Sequence, residues 1–226
     1  DYSYEKITRA DLSATVTLLQ SVYPDAQKIN YEYLQWLYFE NNAGDVIGFN
    51  AKCLGATVAH YAVIPYLYRS NIRAGHSVNT ATLQQHSGKG LFTKLAKLTY
   101  EKAFGDGLDF ISGVANKNSI YGFEKKLGFK KVGNVKLSFM FKTMLTLNIC
   151  ETLAFHSNLN WRLRNPSQVY YVSNAFGFNL IFCKRKGIFV LLGTSSEDIS
   201  GPNYMFSERI TYNKIPNKLL LYAEKD

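Results

Sequence analysis

The chain has 226 residues, of which 46% are apolar and 19% charged, enough to bury a full core and unlike a disordered, collagen-like or low-complexity polymer. Lysine and arginine outnumber aspartate and glutamate 26 to 17, and the net charge of +9 favours an anionic partner: a phosphorylated small molecule, a nucleic acid or an anionic lipid. The basic residues stand in short groups, Lys125-Lys126, Lys130-Lys131 and Lys184 to Lys186, so no nucleic-acid-binding tail is indicated.

The best candidate for a membrane-spanning run, Phe176 to Leu192, is cut by Lys184-Arg185-Lys186, and no membrane partner is expected. Cys53, Cys150 and Cys183 are far apart, form no C-x-x-C and join no histidine at zinc spacing. They read as reduced thiols, no metal site is expected, and no signal-peptide pattern opens the chain. The expectation is a cytoplasmic protein.

Tyr2 to Ile7 alternates as a short strand. Thr8 to Asp11 has the pattern of a capping box, Leu12, Val16 and Leu19 then share a helical face, and Pro24 stops that helix. Tyr31 to Phe39 is a second helix and Asn41 to Asp45 a turn. Val46 to Lys52, Thr57 to Ile64 and Ile72 to Thr82 read as an antiparallel meander with turns near Gly55 and Ser70, and Gly75 as the site of a bulge.

At Gln84 the character changes. Gln85 to Gly90 is a polar, glycine-rich loop, followed by a helix with Leu91, Leu95 and Leu98 on one face and Gly105 and Gly107 at its end. Leu108 to Ala115 reads as a buried strand. Asn116 to Ser119 opens another helix that Gly128 stops, and Lys130 to Phe141 reads as the next strand. This succession describes an α/β core.

Beyond residue 145 a helix around Ile149 to His156 precedes strands at Val169 to Val172, Asn179 to Cys183, Gly187 to Leu192 and Lys218 to Tyr222. The chain's two tryptophans give an internal echo: Tyr33-Leu34-Gln35-Trp36 and Asn158-Leu159-Asn160-Trp161 each precede a polar turn and a strand. A chance likeness of two helix-to-strand joints and a duplication both account for it.

A glycine-rich loop before a helix lets backbone N–H groups converge, and the helix adds its positive end. That suits a phosphate or pyrophosphate. A P-loop is excluded because position 83 is Leu and position 90 is Gly. A Rossmann fingerprint fails at Thr93, and it would follow the first strand of a parallel unit.

A third reading fits better. His86-Ser87-Gly88-Lys89-Gly90-Leu91-Phe92 at a helix start, then Asn116 to Ser119 and Phe123 to Phe129, resembles the GNAT superfamily of acyl-CoA-dependent N-acetyltransferases. The first segment is similar to its R/Q-x-x-G-x-G/A pyrophosphate loop, the second to its N-x-x-A/S and K-x-G-F stretch. The detailed resemblance covers about Ile72 to Val135. Two registers are open. One puts Ser87 at the family's Arg position and Phe92 at its last Gly; the other starts at Gln85 and ends at Gly90. An absent Arg removes a charge-assisted phosphate contact that Lys89 could partly replace.

The resemblance implies a mixed, partly antiparallel central sheet flanked by helices over residues 1–145. Residues 146–226 would be a β-rich extension covering the acceptor site, or a partial second GNAT-like half. It implies acetyl-CoA as co-substrate, held by Thr82, Leu83, Ser87, Gly88, Lys89, Gly90, Leu91, Phe92, Asn116 and Ser119, with backbone N–H groups at Thr82 and Leu83 facing the acyl carbonyl. The reaction would be acetyl transfer to a primary amine of a small molecule or amino sugar.

No Glu or Asp lies between Ile47 and Tyr100, so the carboxylate base common on this strand is absent. His76 is the nearest titratable group and the candidate base; a structural histidine on a sheet face is the rival reading. His60 has the weaker case, and His86 would meet phosphate or solvent. The family's acid Tyr aligns with Glu124, which leaves Tyr121 as candidate acid against a packing role. Two further functions stay open: a Fem-type aminoacyl transferase with duplicated halves, and a chain without catalysis that binds CoA or nucleic acid.

Overall fold

The computed structural model describes the chain except residues 27, 69–71, 117–118, 153–158, 198–206, 210–213, 215–217 and 226. It divides into two compact units, Asp1–Lys131 and Val132–Asp226.

The first unit runs β1 (Ser3–Lys6), α1 (Leu12–Val22), α2 (Tyr31–Phe39), β2 (Ile47–Cys53), β3 (Ala56–Tyr68), β4 (Ile72–Thr82), α3 (Leu91–Gly105) and β5 (Phe110–Gly113). Its sheet has the order β1-β2-β3-β4-β5, antiparallel throughout except that β4 and β5 are parallel. A parallel pair needs a long crossover, and α3 supplies it.

Local chemistry sets the element ends. The Asp11 carboxylate accepts the Thr8 N–H at 2.9 Å and the Thr8 hydroxyl at 2.7 Å. Lys52 lies 3.2 Å from Asp11 and 2.6 Å from Glu5, tying the start of α1 to β1 and β2. α1 stops at Val22, two residues before Pro24. The Asn30 side chain caps α2 by accepting the Tyr33 N–H at 2.8 Å.

The two faces of β3 divide the core. Ala59, Tyr61 and Val63 pack with Leu91, Leu95, Ala96 and Ala103 of α3. His60, Ala62 and Ile64 alternate to the other face, where α1 packs over β3 and β4. β3 is buried on both faces from Val58 to Pro65, as expected of a central strand.

The bulge in β4 is not at Gly75. Gly75 pairs regularly with Pro65 and Ile111. Its lack of a side chain answers a packing demand instead: a Cβ would stand 2.4 Å from Val63 Cγ1 and 2.8 Å from Leu108 Cδ2. The irregularity lies four residues on. Ala62 pairs with Val78 and His60 with Ala81, so Asn79 and Thr80 together oppose Tyr61. Asn79 takes φ +51°, a left-handed conformation that asparagine tolerates better than most residues.

The second unit holds β6 (Asn134–Phe141), α4 (Leu147–Thr152), α5 (Leu159–Arg162), β7 (Tyr170–Ala175), β8 (Phe178–Arg185), β9 (Ile188–Ser195), β10 (Ser207–Arg209) and β11 (Lys218–Lys225). Its sheet order is β10-β7-β8-β9-β11-β6. Leu145, Cys150, Leu180, Phe182 and Leu191 form one core cluster, and Leu159, Leu163, Tyr170, Val172 and Ile181 another.

The strand read as the last of the α/β core is therefore β6 of the second sheet. It pairs with β11 residue for residue from Asn134↔Lys225 to Phe141↔Lys218. The division between units, after Lys131, thus falls earlier in the chain than the boundary after residue 145 that the resemblance implied. The turn near Ser70, and the end of the helix expected to reach His156, lie outside the described residues.

The tryptophan echo extends to topology. In the first unit Trp36 of α2 precedes the antiparallel run β2-β3-β4, and β5 joins β4 in parallel. In the second, Trp161 of α5 precedes the antiparallel run β7-β8-β9, and β11 joins β9 in parallel.

Candidate functional site

β4 and β5 part company at Ser77↔Gly113, the last pair of their ladder. β4 continues to Thr82 with β3 as its partner, while the chain after β5 turns away to Asn116. Among the described residues the edge of β4 from Val78 to Thr82 thus has no strand beside it, a gap in the sheet where Thr80 O accepts the Tyr23 hydroxyl. Leu83 N–H donates to Val58 O at 2.9 Å. Antiparallel pairs alternate between bonded and non-bonded, so the neighbouring pair Ala59↔Thr82 is the non-bonded kind. Thr82 therefore turns its N–H and C=O away from β3, toward the gap. Of the two residues expected to offer an N–H to an acyl carbonyl, Thr82 has one to offer. Leu83 has committed its own to the sheet, which corrects that half of the expectation.

The loop after β4 makes one helical turn at Gln84–His86. Gly88 and Gly90 then adopt φ +75° and +76°, and a Cβ on either would meet nothing within 4 Å. These glycines are needed for backbone conformation, and they leave open space above the loop. α3 makes its first internal bond from Lys94 N–H to Gly90 O at 3.0 Å. The N–H groups of Leu91, Phe92 and Thr93 precede that bond and have no partner within the helix. The side chains of Leu91 and Phe92 belong to the core, so their contribution to a ligand is through the backbone. Ser87, Gly88, Lys89 and Gly90 are exposed. Together this is a cradle of donors at a helix N-terminus, open to an anion.

His86 does not face solvent alone: its Nδ1 lies 2.8 Å from the Tyr2 hydroxyl, which ties the loop to the N-terminal strand. Lys89 sits 5.9 Å above the Tyr2 ring, within reach of the cradle.

On the far side of the gap, Asn116 Oδ1 accepts the Ser119 N–H at 3.0 Å, and Ser119 Oγ accepts the Asn116 N–H at 3.1 Å. The two side chains cap the helical turn they open; Lys117 and Asn118 between them lie outside the described residues. The segment Gly122–Lys126 continues as a wider helical turn and ends before Gly128 at φ +73°. Gly122 lies against Phe92, where a Cβ would stand 2.9 Å from the ring, and Phe123 meets Phe92 at 5.6 Å. This packing joins the segment to the first turn of α3. Tyr121, next to that contact, is 65% exposed.

His76 lies on the face opposite α3. It is half-buried, and its Nδ1 is 3.2 Å from Ser112 Oγ on β5. Tyr66 OH is 3.2 Å from the same oxygen. His76 and the bulge share this face, three residues or about 10 Å apart along the strand.

His60 is fully buried, and burial pushes its imidazole down to about 3, so it is neutral. Its Nδ1 lies 2.7 Å from Asn50 Oδ1 and its Nε2 2.8 Å from the Tyr38 hydroxyl. Asn79 Nδ2 donates to that hydroxyl at 3.1 Å. Burial also raises the Tyr38 phenol far above its ordinary value, so it stays protonated. Tyr23, at the end of α1, donates its hydroxyl to Thr80 O. Asn79, Tyr38, Asn50 and Tyr23 were not singled out from sequence. An asparagine in mid-strand was the available signal for the bulge, and Tyr38 was hidden in a helix read for its apolar residues.

Among the described residues no group of three His, Cys, Asp or Glu could hold a metal, and no helix is long and apolar enough to cross a membrane.

No family model and no curated protein matches the sequence. Solved structures do match. A predicted acetyltransferase from Clostridium acetobutylicum with acetyl-CoA is 19% identical, with TM-score 0.51, covering 70% of this chain and 100% of its own. AAC(6')-Iy in complex with the bisubstrate analogue CoA-S-monomethyl-acetylneamine is 12% identical, with TM-score 0.50, covering 60% and 95%. The chain has the fold of the GNAT acetyltransferases, a mixed sheet with flanking helices, followed by a further β-rich unit.

Proposed function

We propose that the chain is an acyl-CoA-dependent N-acyltransferase that moves an acetyl group from acetyl-CoA to a primary amine of a small molecule or amino sugar. The observation that carries this is the parting of β4 from β5 beside a left-handed glycine loop at the start of α3. The residues fit the co-substrate. Backbone donors from Ser87 to Phe92, with Lys89, would hold its pyrophosphate, and the open space over Gly88 and Gly90 admits it. Thr82 would turn its N–H to the acyl carbonyl. Asn116 and Ser119 would line the other lip of the gap, and Leu83, whose carbonyl accepts the His86 N–H at 2.9 Å, would contribute its side chain.

Acetyl-CoA, when bound, supplies an activated thioester. The protein must polarise that carbonyl and relieve the amine of a proton. His76 is the proposed base and Tyr121 the proposed acid. The absence of Asp and Glu from Ile47 to Tyr100 favours an imidazole for the first role. Of the structural neighbours named above, one is a predicted acetyltransferase with acetyl-CoA and the other is in complex with a CoA-containing bisubstrate analogue, which supports this reading at the level of the fold.

The test is calorimetric titration with acetyl-CoA and CoA, then thiol release across a panel of amines. Binding should weaken as salt rises, because CoA is a multiply charged anion and the protein is basic. With an acceptor in hand, His76→Ala should lower turnover by about 10²–10⁴-fold and leave CoA affinity unchanged. A chain that binds neither nucleotide refutes the reading. The repeated strand pattern around Trp36 and Trp161 favours one second reading, a Fem-type aminoacyl transferase with two related halves. Transfer from an aminoacyl donor without CoA binding would select it.

A further inference from the structure

The orientation of the Asn50 amide sets the direction of the chain of hydrogen bonds from Asn79 to Asn50. With Asn50 placed Oδ1 toward the ring, the single N–H of the neutral imidazole is on Nδ1 of His60, and Asn50 Nδ2 is left buried without a hydrogen-bond partner among the described residues. Nε2 is then an acceptor, and the Tyr38 hydroxyl gives it its proton. The Tyr38 oxygen must therefore receive from Asn79, which fixes Nδ2 rather than Oδ1 toward Tyr38. Tyr38, His60 and Asn50 are each completely inaccessible to solvent. Three buried polar groups in a low-dielectric core thus hold one half-buried amide in one orientation. That amide sits on the bulge, where β4 has lost β5 as a neighbour.

We infer that Asn79 is the residue that orients the acceptor: its Oδ1 accepts one N–H of the incoming primary amine, and Tyr38, His60 and Asn50 are positioning residues that act through it. This rests on the acyl-transfer reading above. In that reaction the amine nitrogen forms a bond to the thioester carbon and the C–S bond breaks. Its electron pair goes to sulfur, and the proton shed by nitrogen ends on the thiolate. Asn79 carries no proton in this scheme. It points the nitrogen lone pair at the carbonyl, a contribution of orientation.

Asn79→Gly separates side chain from backbone, because glycine keeps the left-handed bulge while deleting the amide. With the best acceptor from the amine panel, this variant should lose about a hundredfold in kcat/KM for the amine. Its CoA affinity should stay within about twofold, since no phosphate contact is touched. Tyr38→Phe should lose about tenfold, the worth of one orienting hydrogen bond. The double variant should be no worse than Asn79→Gly alone, because Tyr38 acts only through Asn79.

A second readout needs no turnover. The side-chain amide signals of Asn79 in the ¹⁵N spectrum, identified by their loss in Asn79→Gly, should shift in ligand-free Tyr38→Phe. They should shift again when CoA and the acceptor are added together, a pair that cannot react. Wild-type chain that neither binds CoA nor releases thiol overturns the transfer reading and this role with it. Active wild type with unimpaired Asn79→Gly, with additive losses in the double variant, or with amide signals indifferent to the acceptor overturns the role of Asn79 alone.

Discussion

His60→Gln tests the buried chain through its response to acid. The folded protein holds His60 neutral, pushed down to about 3 from an ordinary value of 6.5. Between those values the unfolded chain binds a proton that the folded chain refuses. Stability is therefore complete above 6.5 and is lost as pH falls toward 3. At about pH 4.5, two units into that window and at 1.36 kcal/mol per unit, the loss is about 2.7 kcal/mol. Glutamine is neutral throughout and retains an amide for the same cavity. Its effect at neutral pH is a separate matter of packing; the informative quantity is the difference between two pH values. Urea unfolding of both proteins at neutral pH and at about pH 4.5 measures it, and the other titrating groups cancel between them. The wild type should lose about 2.7 kcal/mol more than the variant. Equal losses would mean that the folded state protonates His60 freely. The direction assigned to the bonds from Asn79 to Asn50 would then fail with it.

Gly75→Ala should destabilise the first unit by about 1–3 kcal/mol, because the new methyl would overlap Val63 and Leu108 in packed core; thermal melting checks it, and an unchanged midpoint would contradict the close approach. Gly90→Asn and Gly90→Asp put side chains of nearly equal shape, both tolerant of positive φ, into open space at the head of α3. The aspartate should weaken CoA by at least about tenfold more than the asparagine, and equal affinities by calorimetry would remove the pyrophosphate from this loop.

Elements with strong local signals were legible before the structure. Helix α2 runs over Tyr31–Phe39 and β4 over Ile72–Thr82, the bounds that the apolar residues of the first and the flanking turn signals of the second had set. The glycine loop was legible because positive φ and open space leave a composition that few other structures need. What was hidden depends on partners far away in sequence. Gly75 was read as a bulge because a glycine in a strand has two explanations, and only the positions of Val63 and Leu108 choose between them. Asn79 gained its meaning from Tyr38, 41 residues earlier, and Tyr38 from His60. The strand at Lys130 to Phe141 was found, but its sheet was misassigned: its ladder partner is Lys218–Lys225, and strand periodicity carries no address for the other strand.

β6 gives the second sheet a selvedge. Its ladder with β11 covers all eight residues of each strand, while β9 pairs with the other side of β11 at Leu220 and Leu221. A fragment starting at residue 146 would leave one whole margin of β11 as bare N–H and C=O groups, a template for pairing with any other chain. Its self-association would reflect where the chain was cut, and would say nothing of the native assembly. A piece meant to fold by itself must begin before Asn134, and the break between Lys131 and Val132 is the place for it.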